Sequence, residues 1–275
     1  MSQYLELPTY DFLEMTSEEK RVILKDFNQP IVIRGLYQSK AMQMSSESII
    51  KLFGDTKLPI EFYDTPETRF YDSDTGTATM KGLFEHWKTD KLPILYCAEV
   101  DLFEQNMSEL LLETFRNPNT EPKKVEALLL YLGKNWGSDL HMHIRSDFIL
   151  NQVFGSKTVY IFSNYDNPNI NKNSSFDKDK YNTPKEDFFS LDHSQMKIYK
   201  ITLQPGDSLL IPPWYWHATR GHGINMSITQ IYIRNNMSYL LTNPNLIIDY
   251  MILYPEILYV LVMFIVIILT FHHVR

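Results

Sequence analysis

From residue 127 to residue 233 the chain strings together short runs rich in Val, Ile, Leu, Tyr and Phe: Ala127–Leu132, Phe148–Phe154, Thr158–Phe162, Met196–Leu203, Ser208–Ile211 and Asn225–Ile233. Runs of this length are too short for stable helices, and β-branched and aromatic side chains suit a pleated surface. Several are closed by Gly, Pro or Asn. Many short strands with turn residues between them argue for a sandwich or a barrel.

The first third reads differently. Thr16-Ser17-Glu18-Glu19 is a capping box that opens a helix to about Phe27. Pro30–Gly35 is a short buried strand ended by a glycine turn, and two further helices are expected near Ser46–Phe53 and Met80–Lys88. The polar stretch Asp64–Thr79 is expected to be a loop, and Asn164–Ser194, rich in Asn, Lys and Asp, a long inserted one. The expected architecture is mainly β with N-terminal α/β additions. Its parts are an α/β portion over 1–125, a β core with the functional site over 126–235, a linker or helix over 236–254, and a terminal segment over 255–275.

That terminal segment shapes the expected location. Ile257–Val274 is a run of 18 residues without Lys, Arg, Asp or Glu. As a helix rising about 1.5 Å per residue it would cover roughly 27 Å, close to the apolar thickness of a bilayer. Pro255 suits a helix start, and Tyr254 and Tyr259 stand where interfacial aromatics are expected. The N-terminus has neither a basic segment nor an apolar one, so no secretory signal is read there. A transmembrane tail anchor is therefore expected, placing the protein in a bilayer through residues 257–274 as a single-pass chain with its bulk in the cytosol. The four Asn-x-Ser sequences, at Asn106, Asn173, Asn225 and Asn236, are read as chance matches.

The charge balance, 26 Lys and Arg against 33 Asp and Glu, gives −7 and does not indicate a nucleic-acid partner. The single cysteine, Cys97, excludes an internal disulfide and a zinc–thiolate site. Any metal must then be held by nitrogen and oxygen. In an extended segment residues i and i+2 share a face, so His141 and His143 can point to one place. His217, after a turn and a short apolar run, can reach that place from a neighbouring strand. Converging imidazole or carboxylate groups with open positions suit a divalent iron that activates dioxygen. His86, His193, His222, His272 and His273 are read as ordinary core or surface residues.

Over most of residues 8–235 the chain resembles the JmjC/cupin-like family of iron(II)- and 2-oxoglutarate-dependent oxygenases, in its factor-inhibiting-HIF-like branch. The resemblance lies in Gln29–Gly35, Leu95–Leu102, Ser138-x-Leu140-His141, Phe148–Phe154 with Gly155-x-Lys157, and Pro205–His217. It implies a double-stranded β-helix, or jelly roll, with Fe(II) as metal and 2-oxoglutarate as cosubstrate. His141 matches the first metal histidine and His217 the distal one. Lys157 matches the lysine that pairs with the distal carboxylate of 2-oxoglutarate, Ser138 a hydroxyl that binds the same carboxylate, and Tyr96 a tyrosine near that end.

One departure stands out. The family has Asp or Glu at the third ligand position, and here that position is His143. Starting the motif at His143 would put Arg145 in the acid's place. Asp139 lies on the permitted face, and Asp147 would need a local bulge. The resemblance thus implies an oxygenase, a hydroxylase or demethylase acting on a protein, with metal on His141, His143 and His217. The missing acid leaves two alternatives open: a catalytically defective binding module, and a three-histidine cupin that does not use 2-oxoglutarate.

Overall fold

The computed structural model describes residues 4–25, 27–37, 42, 44–65, 73–89, 91–103, 115, 125–143, 146–163, 187–233 and 259. Strand β1 (Thr9–Asp11) leads into helix α1 (Ser17–Lys25). The capping box forms as expected. Thr16 Oγ1 accepts from the Glu19 amide at 3.2 Å, and the Glu19 carboxylate accepts from the Thr16 amide at 2.8 Å. Strand β2 (Ile31–Arg34) is the expected buried strand. Helices α2 (Ser46–Phe53) and α3 (Met80–Trp87) begin on the hydroxyl caps Ser45 and Thr79.

Besides the short, exposed β1, three longer strands of this part escaped the apolar pattern. β3 (Lys57–Tyr63) carries Pro59 and Glu61 among its apolar residues; Leu58 and Ile60 are buried in the larger core, while Tyr63 packs separately with Tyr96 and Trp136. β4 (Asp74–Thr79) occupies the end of the expected loop. It is a polar edge strand that pairs with β3 alone, so its backbone finds partners although its side chains need no core. β5 (Ile94–Asp101) joins β3 to the barrel strands.

The C-terminal half supplies β6 (Ala127–Lys134), β7 (His141–Met142), β8 (Ser146–Ser163), β9 (Tyr199–Leu203), β10 (Asp207–Ile211) and β11 (Tyr215–Ile233). The expected strands Phe148–Phe154 and Thr158–Phe162 are one bent strand, and Asn225–Ile233 is the second half of another. β8 bends at Gly155 (φ 63°) and β11 at Gly223 (φ 59°), with a register shift between His222 and Met226. The bends interlock: a Cβ on Gly155 would lie 2.3 Å from the Ile224 carbonyl oxygen. The first half of β8 pairs with β10 and with the second half of β11. The second half of β8 pairs with β9 and with the first half of β11. The sheet order is β1-β2-β10-β8-β11-β6-β5-β3-β4, with β9 on β8 and β7 on β11.

The result is a mainly-β, jelly-roll-like fold. Val159 and Ile161, from beyond the bend of β8, pack against Phe148, Leu150, Leu209 and Ile211. The larger core, with Ile33, Ile49, Leu58, Leu83, Leu130 and Ile228, lies between the N-terminal elements and the sheet. Asn225 is buried and donates to the Gly133 carbonyl, which agrees with reading its sequon as chance.

The expected membrane location is corrected. Among the described residues no helix is long and apolar enough to cross a membrane. An apolar run fixes the length a helix could have, whereas a span requires the helix itself. Of residues 257–274 only Tyr259 is described, so the expected bilayer anchor lies outside the described residues, as do 236–254 and 164–186 of the expected inserted loop. The single-pass, cytosol-facing location is accordingly withdrawn.

Candidate metal centre and adjoining pocket

β7 is two residues long, yet it sets the geometry of the site. Its ladder with β11 puts His141 directly opposite His217 and Met142 opposite Trp216. His143 follows on the His141 face. The ring centroids lie 4.2 Å apart for His141–His217, 4.9 Å for His141–His143 and 5.1 Å for His143–His217. One nitrogen from each ring lies within 4.8 Å of the others, and among the described residues this is the group of His, Cys, Asp and Glu side chains placed to hold a metal ion.

Backbone carbonyls orient two of the rings. His141 Nδ1 bonds the Asp139 carbonyl at 2.7 Å and His217 Nδ1 bonds the Tyr215 carbonyl at 3.1 Å. A carbonyl only accepts, so each Nδ1 carries the proton and each Nε2 keeps its lone pair for a metal. Burial holds all three imidazoles below their usual pKa, His143 and His217 well below, and repulsion from the other rings adds to the shift at His143. The rings are neutral at neutral pH, as ligation requires.

Neither nearby acid joins the cluster. Asp139 serves His141 through its backbone carbonyl and is one of the residues lining the pocket. Asp147 is buried on β8 opposite Tyr232, in a stretch where the β8–β11 register runs unbroken from Ser146 to Gln152. Among the described residues no bulge brings Asp147 inward. The third member of the cluster is His143.

The histidines open onto a cavity of about 530 Å³. Lys157 lines it at 1% exposure, its ammonium donating to Ser227 Oγ and lying 5.6 Å from the Tyr131 ring centre. Burial pulls its pKa down to about 7. Ser138 Oγ lies 3.0 Å from Thr219 Oγ1, which also accepts from the Ser138 amide at 2.9 Å. Tyr96 lies across Gly133, where a Cβ would come 2.6 Å from its ring. Its hydroxyl is buried without a hydrogen-bond partner among the described residues. The cavity thus brings together Tyr96, Ser138, Lys157 and the three histidines.

The sequence reading missed Thr219, Ser227 and Tyr131. Thr219 stands two residues after His217, so strand alternation alone places it on the ligand face. It also missed Glu99, which lines the cavity from an irregularity in β5 with φ 52°; nothing in the local pattern signals that twist. Trp214 and Trp216, which closely precede His217, are buried with Leu140, Met142 and Phe162.

The donor set fits a divalent transition metal, since neutral imidazoles suit iron, zinc, copper or nickel. The far wall fits an anion. A buried ammonium without a carboxylate is costly, and an unpaired buried hydroxyl asks for an acceptor. Comparison with known proteins agrees with the fold. Jumonji C domain-containing protein 5 of Drosophila melanogaster is 33% identical over 87 residues, a match covering 30% of this chain and 21% of that protein. The chain thus matches about a fifth of that relative's length. The profile of the cupin-like domain family matches residues 17–237, four-fifths of the chain, and the protein belongs to that family.

Proposed function

We propose that the protein is an iron(II)- and 2-oxoglutarate-dependent oxygenase of the factor-inhibiting-HIF-like branch, a hydroxylase or demethylase acting on a protein. His141, His143 and His217 hold the metal; Lys157, Ser138 and Tyr96 hold the cosubstrate. The observation that carries this reading is the buried Lys157 ammonium sharing one cavity with three neutral imidazoles.

When bound, iron and 2-oxoglutarate supply the oxidation: with dioxygen the cosubstrate loses carbon dioxide to become succinate, and one oxygen atom enters a substrate C–H bond. The chain's residues bind and orient. Lys157 neutralises the distal carboxylate away from water, where a charge-assisted hydrogen bond is strong. Thr219 holds Ser138, and the Ser138 and Tyr96 hydroxyls complete the cradle. The carbonyls of Asp139 and Tyr215 keep His141 and His217 in the ligating tautomer. His143 favours a second reading, a three-histidine cupin acting without 2-oxoglutarate, because a neutral ligand leaves the ion its full charge.

The test is iron-dependent succinate formation by the full chain with 2-oxoglutarate and candidate peptides, beside His217→Ala and Lys157→Met. The expected result is turnover lost in both variants. Oxygen uptake that ignores 2-oxoglutarate would establish the second reading. A native chain that binds no metal, with turnover appearing only in His143→Asp, would make it a defective binding module.

A further inference from the structure

Two of the three imidazoles are oriented by hydrogen bonds; the third is oriented by a ring. His143 stacks on Phe148 with centroids 3.6 Å apart and planes 13° from parallel, the shortest ring separation among the described residues. Its backbone is tied down separately, the His143 carbonyl accepting from the Trp214 amide at 2.8 Å. What this tie leaves open is rotation of the imidazole about its terminal torsion, which for histidine is broad. That rotation matters because the nitrogen lone pairs lie in the ring plane. Phe148 is well placed to stop it. Its backbone pairs on one side with Ile211 of β10 and on the other with Ile231 of β11, and its ring is 6% exposed among Leu150, Leu209 and Ile211.

We propose that Phe148 is the positioning residue of the third metal ligand: its ring fixes the His143 plane so that a lone pair points at the ion held by His141 and His217. The proposal rests on reading the three-histidine cluster as a metal centre. His143 and Phe148 then act as a pair. The flat wall does for a histidine what a backbone carbonyl does for the other two.

The test uses cobalt(II) alone, titrated into the metal-free full chain and followed by its visible absorption and by chelator competition. Phe148→Leu keeps the apolar bulk and removes the flat face. It should weaken cobalt binding about 10–100-fold, the usual effect of losing a ligand's supporting contact, and should shift the absorption band. Phe148→Tyr keeps the face and should bind within a few-fold of the native chain. In a His143→Ala background Phe148→Leu should have no further effect, since the ring acts only through that imidazole. Should Phe148→Leu fail to fold, Phe148→Met makes the same comparison. Native cobalt affinity and spectrum in the Leu or Met variant would overturn the proposal, as would an equal loss in the His143→Ala background. Absence of cobalt binding by the native chain would overturn the metal-centre reading and this proposal with it.

Discussion

Replacing Lys157 by Met tests the cavity through stability rather than activity. The ammonium is 1% exposed, and burial pulls its pKa from 10.5 to about 7. In the unfolded chain the group titrates near its ordinary value of about 10.4. Between those values the unfolded chain carries the proton and the folded one does not, so stability rises with pH. The contribution is complete above the unfolded value and is lost as pH falls to about 7. At about 1.4 kcal/mol per pH unit, the rise from pH 7 to pH 9 amounts to about 2 kcal/mol once the curvature near pH 7 is included. Methionine has nearly the same reach and does not titrate. The measurement is urea unfolding of the metal-free full chain, native and Lys157→Met, at both pH values. Cys97 acts in the opposite direction, because burial pushes its thiol up, so the quantity to read is the difference between the two proteins. Lys157→Met should be the more stable at pH 7, and its advantage should shrink by about 2 kcal/mol at pH 9. Adding 2-oxoglutarate at pH 7 should stabilise the native chain and leave the variant unmoved. Parallel pH profiles would refute the reasoning, since they would mean that the lysine reaches water or a counter-charge when no ligand is bound.

Two further substitutions probe the cradle and the bend. Tyr96→Phe removes a buried hydroxyl that has no partner among the described residues. It should leave the ligand-free chain as stable or up to about 1 kcal/mol more stable, while weakening 2-oxoglutarate binding roughly tenfold; a clear loss of stability in urea would show that the hydroxyl has an internal partner. Gly155→Ala places a side chain at φ 63° with its Cβ 2.3 Å from the Ile224 carbonyl oxygen. The backbone conformation alone costs about 1–2 kcal/mol, so the loss should be at least that, and an unchanged unfolding midpoint would refute the interlocked bends.

The strands that build the barrel were legible because their side chains must be apolar where two layers meet. Val159, Leu209 and Ile211 could be read as strand residues without knowing their partners. The bends were not legible as bends. Gly155 looks like a turn between two strands, and only the paired register of β8 with β11 shows a single strand crossing from one partner set to another. β4 was missed for the opposite reason: an edge strand satisfies its backbone through β3 and leaves no apolar trace. At the site, the convergence of His141, His143 and His217 followed from alternation and a specific string, whereas Lys157 was placed by resemblance. Tyr96 could be placed only by resemblance, because its position depends on its close approach to Gly133. Glu99 depends on a backbone twist in β5 that no spacing rule announces.

His143 shows how a fold can keep a site's geometry while changing its charge. The position of His141 against His217 is set by the β7–β11 ladder, which does not involve the side chain at residue 143. An imidazole there meets its neighbours at 4.9 and 5.1 Å without disturbing that ladder. A carboxylate ligand would have lowered the charge of a bound divalent ion, and the imidazole does not. The compensation available to the chain lies in the wall. Glu99 and Asp139 both line the cavity, and both favour the charged form of His141 against the effect of burial, which means that each lays negative potential across the cluster. Lys157, in the same lining, adds a positive charge that no carboxylate pairs among the described residues. The same cavity is thus lined by two acids, a buried ammonium and three neutral imidazoles. Its buried ammonium loses stability by standing alone, and an anion bound beside Lys157 would remove that loss.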